Sequence, residues 1–505
     1  MHSAYLQPSP TVIGSRPSRS FGMAAAVGLI VVFTLIFAVF AVGRYERYNA
    51  TSWDLGIFVQ LTWNAAQGRP LQNTVAEQDN MLGIHAPYIT VLLAPLFWLW
   101  SDARILLIAQ SVLLCLGALP IAVLVRRKFK EPWLPPLFVL VWMLYPALGW
   151  INRWDFHEIA PVVAFLAFAF EAADRKAWPQ VDLWLILALL CKEEIGLTVA
   201  FFGLYSMQKF GRNWRAVLLW FVIGVAWFTI HAFVIFPLLR NADNGLPIHA
   251  SRYAWILDGD LSSMINYALG SDTLLKLSFL LKLFAPVAFL SLLEPLVLLP
   301  AVPTFAFSLL ANYEPQFNIY MHYTAPIIPA VMVSAVYGLA WLRQSYPRLS
   351  VRAIAGVMLA CVLIAWTLYN PFFMQPVPNG IYGWEPGAHV DSIEATQAII
   401  PAGACVVAGQ TIQPHYATRQ QSYVIGKRGD MDGCQYMILD LGDTRHHDFT
   451  DDRQVACYQY WSGKRAPIFY QDTVVVLEWN PAPTNPQAEQ DLAAYCSILS
   501  EQLKT

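Results

Sequence analysis

The chain has 505 residues, 57% of them hydrophobic and only 13% charged, with 32 Lys and Arg against 34 Asp and Glu. Soluble globular chains carry about 25% charged residues, and disordered, collagen-like or coiled-coil chains need polar or repetitive sequence. A polytopic, all-α membrane protein remains, and the net charge of −2 gives no basic surplus for nucleic acid.

The first apolar run is Phe21–Val42, preceded by Arg16 and Arg19. It is too long for the apolar core of a signal peptide, about 7–15 residues. It reads as an uncleaved span behind a short cytoplasmic tail, residues 1–20. Further runs are Ile105–Val125, Trp133–Trp150, Ile159–Ala173, Leu183–Cys191, Ile195–Met207, Ala216–Leu239, Leu277–Leu290, Pro295–Leu310, Tyr323–Leu342 and Ala353–Tyr369. Hydropathy therefore predicts about eleven transmembrane helices. Four basic clusters then fall on the N-terminal side: Arg126-Arg127-Lys128, Arg175-Lys176, Lys209 with Arg212 and Arg215, and Arg343 with Arg348 and Arg352. That is the positive-inside pattern of a plasma (inner) membrane protein. Ala86–Trp100 holds two prolines, and counting it as a span would flip the first cluster outward. It reads instead as an interfacial helix within a long first outer loop, residues 43–102.

A boundary follows the last span, where Pro371, Pro376 and Pro378 mark a linker. From Pro371 on there are eight basic and fifteen acidic residues, net −7, against a net +5 before it. A membrane body (21–370) thus carries an acidic tail (371–505), expected outside the cytoplasm. Asp391-Ser392 can cap a helix through Ile400, and Pro486 can open another. β-rich runs at Cys405–Ala408, Tyr436–Leu441 and Thr473–Trp479 complete a small α/β domain. Its four cysteines, Cys405, Cys434, Cys457 and Cys496, allow three pairings, and export predicts at least one bridge. His446-His447-Asp448 reads as a loop.

Polar groups beside or within the apolar runs are the informative ones. On this topology they gather on the outer side. The first loop holds Asp54, Glu77 and His85, and the second holds Arg153, Asp155, His157 and Glu158. Lys192-Glu193-Glu194 forms a tight turn between two runs, and Glu314 and the pair His322-Tyr323 lie ahead of the tenth. Asp54 also suits an N-cap for the Leu55–Ala66 segment. Asp155, His157 and Glu158 are residue types that suit zinc or manganese, so a divalent metal is possible, and no cofactor is certain.

Five segments in this order carry a resemblance: SWDLGIFVQLTWNAAQG, IHAPYITVLLAPLFWLW, RWDFHE, CKEE and MHY, with a looser match in the tail at ACVVAGQTIQPHYATRQ and CQYMILDLG. The chain resembles a bacterial family of multi-pass membrane proteins of unknown function, placed beside the oligosaccharyl- and mannosyl-transferases in the GT-C superfamily of membrane glycosyltransferases. The resemblance covers Phe21 to about Tyr369. It implies a polyprenyl-phosphate-linked sugar as donor in the outer leaflet, an extracytoplasmic acceptor, and a first-loop acid as general base. Asp54 is the matching position. It stands alone, unlike the paired acids of the protein mannosyltransferases, which leaves the acceptor class open.

The residue chemistry is compatible with that role. A carboxylate can take the acceptor's hydroxyl proton, and cations should stabilise the leaving phosphate. Arg153, Lys192 and His322 are the expected cations, and Asp155, Glu158, Glu193 and Glu194 would orient them or bind sugar hydroxyls. The rival readings are a transporter or lipid flippase, which would favour inverted repeats and broken midplane helices, and a non-catalytic scaffold presenting the tail. A cavity with Asp54 opposite Lys192 favours transfer, and a midplane tunnel favours transport.

Overall fold

The computed structural model describes residues 19–76, 78–240, 249–257, 262, 265, 267, 270, 272–372, 389–426, 433–443, 451–479 and 485–502. Arg16, Glu77, Pro376, Pro378 and the His446-His447-Asp448 run lie outside them.

Helices account for the membrane body. Arg19–Glu46 buries Ala26, Ile30, Phe37 and Ala41 against the helices Arg104–Leu116 and Leu134–Met143, and exposes Val27, Val31, Val32, Leu35 and Val39. Trp214–Ile230 and Val351–Tyr369 likewise expose aliphatic faces, including Leu218, Leu219, Val357 and Ile364. Such continuous apolar surface is stable only against lipid or another protein. Local signals end and start the helices. Gly211, in the left-handed region at φ 67°, closes Ile195–Phe210. The side chains of Asn213 and Ser350 cap the helices that follow them. Pro146 separates Leu134–Met143 from Pro146–Arg153, and the pair is bent by 49°. Gly196 and Gly224 face each other so closely that a Cβ on either would meet the other's backbone, which lets Ile195–Phe210 and Trp214–Ile230 pack tightly.

Every predicted apolar run contains helix, but they do not amount to eleven membrane-length helices. Among the described residues five helices are long and apolar enough to cross a membrane: Ser20–Glu46, Arg104–Lys128, Trp214–Arg240, Ile327–Ser345 and Val351–Tyr369. The bent pair would make a sixth. Val162–Asp174 has only 13 residues, roughly 20 Å at 1.5 Å each, against a hydrocarbon core of about 30 Å. The predicted surface helix appears as two short pieces, Ile89–Leu93 and Pro95–Leu99.

The tail forms a five-stranded sheet of β1 (Val406–Ala408), β2 (Ser422–Val424), β3 (Tyr436–Asp440), β4 (Arg465–Gln471) and β5 (Val474–Trp479), in the order β2-β1-β3-β5-β4. β1 runs parallel to β2 and β3, and β5 is antiparallel to β3 and β4. Side chains alternate between two cores. Val407, Met437, Leu439, Val475 and Leu477 face the helices Asp452–Trp461 and Pro486–Gln502, with Ala456, Cys457, Leu492 and Cys496. Val406, Ala408, Ile438, Val474 and Val476 face the other way, with Ile393 of the helix Val390–Ile399. Burial on both faces explains strands that read as continuous apolar runs. Disulfides join Cys405 to Cys434 and Cys457 to Cys496, in agreement with the expected bridging.

The described part of the tail packs against the first loop. Tyr48, from the first loop, is buried in the sheet's second core. His415 is sandwiched between Tyr45 and Tyr48, with ring centroids 4.0 and 3.9 Å away.

Candidate active site

The loops at one end of the helices enclose a cavity of about 630 Å³, within the usual range for small-molecule sites. Its polar lining includes Asp54, His85, His157, Glu158, Lys192, Glu193, Glu194, His322 and Tyr323. These come from five separate stretches of chain. Phe228, Ala232, Phe233 and Phe236 form an apolar wall on the span Trp214–Arg240. Phe233 is about half exposed, so the wall reaches the surface of the molecule.

Asp54 sits in a single π-helical turn, Ser52–Gly56, ahead of the helix Ile57–Ala66. It does not cap that helix. Its carboxylate accepts a hydrogen bond from Trp154 Nε1 and lies 3.4 Å from His157 Nε2. Burial, then the neighbouring charges of Asp155 and Glu158, pushes its pKa up to about 8, despite the bond from Trp154 and the charge of Lys192.

Lys192 is the cationic centre. The Lys192-Glu193-Glu194 turn opens the helix Ile195–Phe210, and its three carbonyls accept from Ile195, Gly196 and Leu197 N–H. Lys192 Nζ lies 3.2 Å from Glu158 Oε1, both side chains being almost fully buried. Burial disfavours the ammonium, but Glu158, Glu194 and Glu193 outweigh it and raise its pKa above the usual lysine value. Glu158 is held down in turn: burial would raise it, and the charges of Lys192, His157 and His85 together more than offset that. Glu193 accepts from His85 Nδ1 (2.9 Å) and Ala86 N (3.1 Å), pinning the first loop to the turn.

His157 and His322 stack face to face with centroids 3.5 Å apart. Burial takes His157 down to about 3 and His322 well below the usual range. Two imidazolium rings this close would repel, and burial disfavours charge on His322, which weighs against its expected role as a cation.

Three expected residues do not line the cavity. Pro146–Arg153 ends at Arg153 and the chain turns extended, so alternate residues diverge. The Arg153 guanidinium bonds to Pro371 O and lies over the Trp150 ring. Asp155 accepts from Arg44 Nη1 (3.0 Å) and Thr51 N (2.7 Å), fixing the approach to the Asp54 turn. Glu314 is exposed and accepts from Asn318 Nδ2. Asp155 therefore cannot share a metal with His157 and Glu158. Among the described residues no group of three His, Cys, Asp or Glu side chains is arranged to hold one.

Sequence reasoning missed Arg252. It lies in the turn Ala250–Tyr253, lines the cavity, and donates to Gln316 Oε1 at 3.3 Å. Its guanidinium stands 4.2 Å from the Tyr313 ring and 6.0 Å from that of Tyr323. A cation flanked by aromatics (His249, Arg252, Tyr253, Trp255) between two apolar runs was the available signal.

The solved structures similar to this chain include ArnT from Cupriavidus metallidurans, bound to undecaprenyl phosphate (TM-score 0.54) and in the apo state (0.51). In each case the identity is 12% and the match covers 90% of this chain and 98% of the other, which shows a shared fold. No curated protein matches the chain. Residues 44–462 match the family model described as "Predicted membrane protein (DUF2079)", and the chain belongs to that family of membrane proteins.

Proposed function

We propose that the protein is a GT-C-type glycosyltransferase that moves a sugar from a polyprenyl-phosphate donor to an extracytoplasmic acceptor. The observation that carries this is the two-ended cavity, with Asp54, Lys192 and Arg252 at its polar end and the Phe228–Phe236 wall leading to the surface of the molecule. The ArnT-like fold supports it. So does the bound undecaprenyl phosphate of that relative, whose chemistry matches such a cavity.

In this reading Lys192 and Arg252 hold the donor phosphate. The acceptor hydroxyl oxygen attacks the anomeric carbon, and the bond from that carbon to the phosphate oxygen breaks. Asp54 takes the hydroxyl proton, and polyprenyl phosphate leaves with its charge against the two cations. Arg252 offers a bidentate fork to the phosphate that Lys192 cannot. Glu158 keeps Lys192 charged and in place. The polar groups come from loops at one end of the helices rather than from mid-helix positions, which favours transfer over transport.

The test is turnover and donor binding by purified protein in lipid nanodiscs. Asp54→Asn should cut turnover by about 10²–10⁴-fold and leave donor binding intact. Lys192→Ala should weaken donor binding as well. Full activity in Asp54→Asn would remove the base assignment.

A further inference from the structure

We infer that the tail domain, through Gln410 and Gln413, positions the Ser52–Gly56 turn that carries Asp54. Gln410 and Gln413 are positioning residues, acting through that turn. The inference rests on the reading of Asp54 as the base, and its test is chosen to separate the two.

The contact is continuous and buried. Ser52 N donates to Gln410 O at 2.9 Å, and Ser52 Oγ donates to Gln410 Oε1. Both side chains are buried. Gly56, at the other end of the turn, meets the Gln413 amide so closely that a Cβ there would collide with Gln413 Oε1. Gln413 is itself fully buried and donates through Nε2 to Ser422 Oγ at 2.9 Å, so it cannot move aside freely. Beyond the turn the fastening goes on at Gln60, four residues on, and at Thr74. Gln60 Nε2 donates to Arg419 O (3.1 Å), and Thr74 Oγ1 donates to Ser422 O (2.8 Å). The turn is thus gripped at both ends by one segment of the tail, Gly409–Tyr416, with Asp54 between the grips.

The opposite side of the turn belongs to the membrane body. Thr51 N is held by Asp155, and Asp54 itself by Trp154. A π-helical turn is a rare conformation, frequent at functional sites, and here it survives between two sets of contacts. The titratable groups facing Asp54 are Asp155, His157, Glu158 and Lys192. The tail segment's own titratable residues, His415 and Tyr416, are turned away, His415 into its tyrosine stack and Tyr416 into the sheet's core. The tail therefore acts on Asp54 by fixing geometry and excluding water, not by contributing charge.

The test uses the full chain in nanodiscs and dicyclohexylcarbodiimide, which modifies protonated carboxyls shielded from bulk water. Modification of Asp54 is followed against pH by peptide mass spectrometry, alongside turnover. In the native chain modification should fall away near pH 8. In Gln410→Ala and Gly56→Ala the turn loosens, water reaches the carboxyl, and the midpoint should drop by about one pH unit or more, toward the ordinary carboxylate range. Turnover should fall about tenfold or more with it, in kcat rather than in donor KM. Gly56→Ala/Gln413→Ala, which removes the colliding amide but also that end's grip, should recover the midpoint only in part. An unchanged midpoint in both single variants would overturn the inference, whatever happens to turnover. If the native chain transfers no sugar, the proposed function fails on its own, and the midpoints still decide whether the tail positions the turn.

Discussion

Asp54 combines two properties that seldom coincide in an exposed carboxylate: it lines a cavity and it is held against ionisation by burial and by Asp155. A base works in its ionised form, so raising the pH toward 8 should increase kcat/KM, and lowering it from 7 to 6 should reduce the rate by about tenfold. A pH–rate profile whose acid limb lay near 4 would contradict that environment. Arg252→Ala should raise donor Kd and also lower kcat, because it removes one of the two cations facing the leaving phosphate, whereas Arg153→Ala, away from the cavity, should affect folding yield more than binding; equilibrium binding with a labelled polyprenyl phosphate separates the two. Much of the site was legible at this scale because charge set among apolar residues is costly and so stands out, as at Lys192-Glu193-Glu194. Arg153 and Asp155 were misplaced because spacing alone does not show where a helix ends. Once it ends at Arg153, neighbours in RWDFHE point to different places.

Helix pairs rather than single helices set the scaffold behind the site. The turn that presents Lys192 opens Ile195–Phe210, and Gly196 sits one turn from it against Gly224. Gly196→Val would force backbone apart there and should destabilise by about 1–3 kcal/mol, read as a lower midpoint of thermal unfolding. Gly28, which has open space around it, should accept Ala without loss. The strands of the tail were legible where β-branched residues run together, as in Val474–Leu477. β2, only three residues long, and β4, interrupted by Pro467, carried too little pattern. Span lengths were not legible either. Hydropathy marks apolar segments, but prolines and polar turns divide several of them into helices too short to cross alone.

Across the whole molecule the cavity, the first loop and the tail lie together at one end of the bundle. On the positive-inside topology that end is extracytoplasmic, so a periplasm-dependent reporter fused to the C-terminus should be active and a cytoplasm-dependent one silent. The opposite pattern would invert the protein. In the proposed complex a polyprenyl phosphate docks with its phosphate at Lys192 and Arg252, facing Asp54, and its chain along the aromatic wall. A cryo-EM structure of the protein in nanodiscs with undecaprenyl phosphate tests it most directly. Phosphate density is expected beside Lys192 and Arg252, with a lipid chain leaving past Phe228, Phe233 and Phe236. Phosphate bound elsewhere, or a chain threaded through the middle of the helix bundle, would contradict it.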